Sequence, residues 1–175
     1  MILTALFFSL IAFIIKLLDN VPLMEVVLFR NLPSMIIIPI IIIKQKISIL
    51  GRNRPLLILR GFLGALGMIA IFYTYTEMPI TESTAIQRLS PFFIIIMSII
   101  FLHEKCSFKK FPIILIAFIG ALLVIKPGFR VDLFPAMVAL IAAMLMGSAH
   151  VVIRYLRLSD NYWVIINYYA YILLV

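Results

Sequence analysis

The stretch TESTAIQRLSPFFIIIMSIIFL, residues 81–102, decides the fold. Its second half is almost unbroken hydrocarbon. Its first half carries Glu82, Gln87 and Arg88 just ahead of Pro91. The composition of the whole chain says what surrounds such a helix. Of 175 residues, 65% are hydrophobic and 13% charged, and the mean hydropathy is +1.23. A soluble domain is roughly 45–50% apolar with about a quarter of its residues charged. No soluble core of this size absorbs so much apolar surface, so the solvent is lipid. The expected fold is all-α: a polytopic membrane helix bundle.

A helix crosses the bilayer with about 20 apolar residues, within a range of roughly 17–25. Runs of that kind lie at about 2–18, 23–43, 56–76, 80–102, 111–126 and 134–153. A seventh opens near Tyr162 and stops at Val175, inside YYAYILLV. About six to seven transmembrane helices are therefore expected. The first run starts almost at Met1 with no basic leader and no small-residue cleavage site, so it reads as a retained span.

The net charge of +8 is spread over short loops between these runs. That is the footprint of topology and argues against a nucleic-acid groove. Lys44, Lys46, Arg52 and Arg54 separate spans two and three, with Arg60 just inside. Lys105, Lys109 and Lys110 separate spans four and five; Arg154 and Arg157 separate six and seven. The alternate loops hold only Lys16, Lys126 and Arg130 near their ends, beside Asp19 and Asp132. The bias predicts a cytoplasmic N-terminus and an external turn carrying Glu77, Pro79 and Glu82. LLDN at 17–20 follows span one and LSDN at 158–161 follows span six. Such a repeat has five spans, and an odd number inverts the second copy.

In span four, at about 100° per residue, Ser83, Gln87, Ser90, Pro91 and Ser98 share one broad face, with Thr84 and Arg88 on its flank. Ala85, Ile86, Leu89, Phe92 and Phe93 share the other. The polar face needs protein or a water-filled cavity, because exposed polar groups are costly in hydrocarbon. Pro91 removes a hydrogen bond to the carbonyl four residues back, which is that of Gln87. The stretch is expected to line a cavity; the simpler alternative is a proline kink with Gln87 satisfied by a neighbouring helix. Arg30 in span two and Arg88 lie in outer halves of spans, with Glu25, Glu77 and Glu82 as candidate counter-ions. Together in a cavity they would favour an anionic group such as a carboxylate; the alternative is structural ion pairs or snorkelling. Tyr73, four residues before Glu77, is a candidate for the cavity mouth.

GFLGALG at 61–67 reads as close helix packing through small residues. No Lys-Ser/Thr follows the glycines, so a phosphate loop does not fit. His103-Glu104 lacks the second histidine of a zinc motif, and the single Cys106 makes neither a disulfide nor a metal cluster. His150 lies four residues before Arg154 and reads as a packing histidine or a titrating group. No catalytic triad, carboxylate pair or metal-ligand cluster is legible. The chain is read as no enzyme, with no cofactor and no metal.

The order of EVVLFR, RG at 60–61, YTEMPITESTA, SPFFIIIMSIIFLHEK and GALLVIKPG resembles the EamA family of the drug/metabolite transporter superfamily. Within it, EVVLFR, RPLLILRG, GALGMIAIFYTYTEMPITESTA and IGALLVIKPG are similar to the rickettsial-type S-adenosylmethionine uptake transporters. The resemblance implies ten helices in two inverted five-helix repeats around a central cavity. Residues 1–128 would then be the first repeat and 129–175 the truncated start of the second, so that the chain is an N-terminal fragment. Arg88 departs from the family pattern, where that position is more often apolar or aromatic.

The function so implied is alternating-access transport of a small metabolite across the bacterial inner membrane, with S-adenosylmethionine or an amino-acid-like solute as cargo. The candidate substrate-binding residues are Gln87, Ser90, Pro91, Ser83, Tyr73, Arg30 and Arg88. The expected partners are the metabolite, the lipid bilayer, and the missing second half or a second copy; nucleic acid is not among them. The alternative is a non-transporting remnant or the packing subunit of a split transporter gene.

Overall fold

The structure, a computed structural model, describes residues 21–102 and 133–173, with a few helical positions within 6–14 and 112–119. The expected first and fifth spans therefore fall largely outside the described residues. LLDN at 17–20, His103-Glu104 and Cys106 fall wholly outside.

Six helices make up the described chain: α1 (Leu23–Lys44), α2 (Arg54–Glu77), α3 (Ile80–Gln87), α4 (Ser90–Leu102), α5 (Leu133–Leu156) and α6 (Tyr162–Ile172). At about 1.5 Å per residue, the 22 residues of α1 and the 24 each of α2 and α5 are long enough to cross a bilayer. So is the stretch Ile80–Leu102 as a whole. A helix is the natural state of such runs because it satisfies every backbone group internally where no water can. Pro33 and Pro39 sit inside α1 and Pro55 in the first turn of α2, where its missing N–H costs nothing. Asn161 caps α6, its side chain accepting from the Trp163 N–H at 3.1 Å. This is a helical multi-pass membrane protein.

The organising helix is α2. Its most extensive interface is with α5, and it also packs on α6, α1 and α3. Leu57 meets Leu156 at one end, and Gly67 meets Met146 and Leu145 farther along, so α2 and α5 run antiparallel. Leu57 also meets Val164 and Ile165, while Gly64 lies against Tyr169, so α2 and α6 run parallel. The glycine strip does what its spacing predicts. Gly61, Gly64 and Gly67 are all buried, and each admits a neighbouring side chain where a Cβ would otherwise stand. A second cluster, Val27, Ala65, Phe72 and Leu173, joins α1, α2 and the end of α6. Outward-facing Phe29, Ile36, Ile43, Phe101 and Phe134 are exposed, as lipid-facing side chains must be.

The two loops at the shared end of α2 and α6 are fastened together. Asp160 accepts from the backbone N–H of Arg52 and of Asn53, and Asn53 Nδ2 donates to Ser159 Oγ at 2.9 Å. The Tyr168 hydroxyl donates to the Leu50 carbonyl at 3.0 Å. Gly51 allows this approach: it has φ +62, and its α-carbon faces Leu57 and the Asp160 carboxylate. The LSDN stretch thus both starts α6 and holds the loop between α1 and α2.

Candidate functional site

The stretch from Thr81 to Leu102 is not one helix. α3 ends at Gln87, Arg88 and Leu89 form a turn, and α4 begins at Ser90. The Arg88 N–H still reaches the Thr84 and Ala85 carbonyls, and Phe92 and Phe93 both donate to Leu89. The break falls where Pro91 withdraws its N–H from Gln87, so proline chemistry places it. A continuous two-faced span gives way to two short helices, and the expected face survives only in part. Ser83 and Ser98 are buried, Gln87 and Ser90 half-buried, and Pro91 exposed.

What α3 buries is a hydrogen-bonded chain. Gln87 Nε2 donates to Ser83 Oγ at 3.0 Å. Ser83 Oγ lies 2.7 Å from Thr74 Oγ1 on α2. Thr74 Oγ1 spends its own proton on the Ile71 carbonyl at 2.7 Å. Thr74 must therefore accept from Ser83, and Ser83 from Gln87. The protons all point one way, from the α3–α4 break into α2. Ser83 and Thr74 have no measurable exposure, so the chain ties the broken span to the central helix without water. Gln87 thus donates within its own helix, one turn back.

The other candidates lie apart. Tyr73 is half-buried and stands edge-on to Phe134 of α5, with centroids 6.3 Å apart. Backbone atoms of Ser90 and Ile94 approach Gly147 of α5. Arg88 is exposed. Arg30 leans across to α2, its Nη1 against the Met68 sulfur at 2.9 Å and its guanidinium carbon 5.4 Å from the Phe72 centroid. Among the described residues, neither arginine forms an ion pair with Glu25, Glu77 or Glu82. Next to Arg30, Asn31 is buried and its Nδ2 donates to the Ala170 carbonyl at 2.6 Å, an acceptor left over at the end of α6.

Two cavities are prominent. One of about 450 Å³ lies between α2, α4 and α5, against Leu63, Phe101 and Tyr155. One of about 550 Å³ lies between α1, α2 and α6, against Pro39, Phe62 and Asn167. Neither is lined by any of the seven candidate residues.

Sequence reasoning passed over Thr74, Asn31, Arg60 and Tyr169. Thr74 could have been found from its place beside Tyr73 in FYTYTE, since a threonine in a span seeks a partner. Arg60 was counted with the basic loop, although Gly64 follows it by one turn. Among the described residues, no group of three or more His, Cys, Asp or Glu side chains could hold a metal ion.

A helical bundle with a proline-broken span and polar groups tied inside it defines the class: a multi-pass helical membrane protein. The chain belongs to the EamA-like transporter family, whose model matches residues 1–126. It is similar to the pseudopaline exporter CntI of Pseudomonas aeruginosa, 28% identical over 86% of this chain and 53% of the exporter. It is similar to human solute carrier family 35 member G1, 29% identical over 97% of this chain and 50% of that protein. It is also similar to the S-adenosylmethionine uptake transporter of Rickettsia bellii, 30% identical over 68% of this chain and 41% of the transporter. The chain spans about half the length of the curated relatives it matches. No solved structure matches it.

Proposed function

We propose that this protein acts in secondary transport of a small metabolite across the bacterial inner membrane by alternating access. S-adenosylmethionine or an amino-acid-like solute is the cargo that fits, since relatives include S-adenosylmethionine uptake transporters. The observation that carries the reading is the broken span. A transmembrane helix interrupted at Arg88–Leu89, where Pro91 leaves the Gln87 carbonyl without its helical donor, is the kind of broken helix by which carriers hold solutes. Gln87 and Ser90 stand at that break and Ser83 lies buried one turn before it, behind Gln87; these are the residues assigned to substrate, with Pro91 maintaining the break. Tyr73 and Arg30 are assigned to the outer part of the path. Arg88, exposed and off the buried face, is assigned to its rim.

The repeat reading goes with this one. Residues 1–128 form the first five-helix unit and 129–175 open the second. In a five-span repeat α6 is the counterpart of α1. The two run antiparallel, with Asn31 on Ala170 and Val27 packed with Leu173, which supports inversion. The end where Asp160 meets Arg52 also carries Lys44, Lys46 and Arg157, which supports a cytoplasmic placement of that end and of the N-terminus.

The test is uptake of a labelled metabolite panel, including S-adenosylmethionine and amino acids, by the intact protein in sealed vesicles. Saturable accumulation of one panel member above empty vesicles is expected. Accumulation of none, from protein shown to be folded and inserted, would overturn the reading.

A further inference from the structure

Arg60 lies six residues inside α2, about 9 Å along the helix. A cation at that depth ordinarily bends its stem back toward the aqueous interface. Arg60 does the opposite. Its guanidinium extends one turn deeper and lies across Gly64, where a Cβ would collide with Arg60 Nη1. The guanidinium carbon stands 5.0 Å from the centroid of the Tyr169 ring on α6. Arg60 Nε and Nη1 are both buried, and neither has a hydrogen-bond partner. From α1 Arg30 reaches α2 at Met68 and Phe72, one and two turns beyond Gly64. Among the described residues, neither arginine is ion-paired.

The Arg60 guanidinium, stacked on the Tyr169 ring with two buried N–H donors unused, is costly as it stands, and the exposed Arg30 brings a second positive charge to the same stretch of α2. Ring faces offset part of that cost. An oxyanion would offset the rest, because it accepts what the forked donors offer.

We propose that Arg60, Tyr169 and Arg30 form an oxyanion subsite that holds the carboxylate of a small solute. Arg60 supplies a fork of donors, Tyr169 its hydroxyl, and Arg30 a second positive charge. Gly64 is a positioning residue: its missing side chain is the space in which the fork lies. The origin of the solute rests on the transport reading above, whereas the binding of a carboxylate does not.

The test uses the full chain in phosphatidylcholine nanodiscs, with carboxyl-¹³C acetate as the probe. Acetate is titrated against chloride at constant ionic strength, and binding is read from line broadening. Saturable broadening is expected. Arg60→Met is expected to weaken binding about tenfold or more, and Arg60→Lys, which keeps the charge without the fork, to weaken it less. Gly64→Ala keeps every charge and displaces the fork, so it is expected to behave like Arg60→Met even if that variant folds poorly. No saturable broadening by the intact chain overturns the proposal, as does equal affinity in Gly64→Ala. Discs of phosphatidylglycerol give the remaining arm. If they abolish acetate binding, the groove belongs to a lipid phosphate and the solute site is wrong. Metabolite uptake insensitive to Arg60→Met would overturn the subsite and leave transport standing. Acetate binding lost in Arg60→Met, with no metabolite moved, would do the reverse.

Discussion

Ser83 and Thr74 meet hydroxyl to hydroxyl at 2.7 Å, and because Thr74 donates to Ile71, the proton between them belongs to Ser83. The contact is buried and joins the broken span to the central helix. Ser83→Ala removes a donor from Thr74 and an acceptor from Gln87 in one step. Interhelical hydrogen bonds in membranes are worth about 0.6 kcal/mol on average and at most about 1.7. The expected loss is about 1 kcal/mol, read from unfolding in mixed micelles. Thr74→Val should cost a similar amount, and the double variant less than the sum of the two, since both break one contact. Fully additive losses would show that the two hydroxyls do not support each other.

Gln87 stands at the open end of the same chain, so its loss should separate folding from transport. Gln87→Leu leaves the Ser83–Thr74 contact and the proline break in place. Insertion and unfolding midpoint should change little, by about 0.5 kcal/mol or less. Uptake by the intact protein should fall severalfold, because the polar group beside the break is gone. Normal uptake by a normally inserted Gln87→Leu would remove this residue from the solute path.

Asp160 holds the loop between α1 and α2 by two backbone N–H groups, and Gly51 provides the room. Asp160→Ala leaves both donors without their carboxylate, at a cost of about 1–3 kcal/mol. Gly51→Ala forces an ordinary residue to positive φ, at about 1–2 kcal/mol, and sets its Cβ 2.9 Å from Asp160 Oδ1. Both variants should speed amide exchange at Arg52 and Asn53 specifically. Unchanged exchange at those two positions would show that the carboxylate does not hold the loop.

The parts of this molecule that lipid dictates were legible in the sequence. Hydrocarbon runs located the four described helices and helix pairs long enough to cross a bilayer, the small residues of GFLGALG the tight face of α2, and Pro91 the break one turn earlier. These are local rules, each needing only spacing. The candidate site was legible only where partners are close in sequence, as with Ser83 and Gln87. Thr74 lies outside α3, and nothing in its spacing says which helix it will face. Arg60 was misjudged for a related reason. Its charge reads as loop topology, and only the Tyr169 ring, over a hundred residues away, draws it inward over Gly64. Asp160 looked like half of a repeat motif, and its role as a loop fastener depends on Arg52 and Asn53, equally distant in sequence. Long-range polar pairing carries no periodicity, so it appears only once the helices are packed.

Two glycines at helix contacts make a last comparison, because what each faces differs in stiffness. Gly61 faces Ile172, whose side chain alone occupies the space a Cβ would need. Gly147 faces the start of α4, with Phe93 Cβ at 2.8 Å, the Ser90 carbonyl oxygen at 3.1 Å and the Ile94 nitrogen at 3.2 Å from a Cβ built there. Alanine gains about 1 kcal/mol of helix propensity over glycine at either site. At Gly61 the tip of the isoleucine can turn away and only its Cβ, at 3.2 Å, must give slightly, so Gly61→Ala should cost little. At Gly147 the neighbours are backbone just past the Arg88–Leu89 turn and cannot rotate aside. Overpacking of about 1–3 kcal/mol should then outweigh the gain, so that Gly147→Ala unfolds earlier than Gly61→Ala. The penalty should also reach the break itself, because α4 can yield only by shifting away from α5. Faster amide exchange at Phe92 and Phe93 in Gly147→Ala, absent in Gly61→Ala, would locate the strain there. An equal response of the two variants would mean that α5 does not hold the break in place.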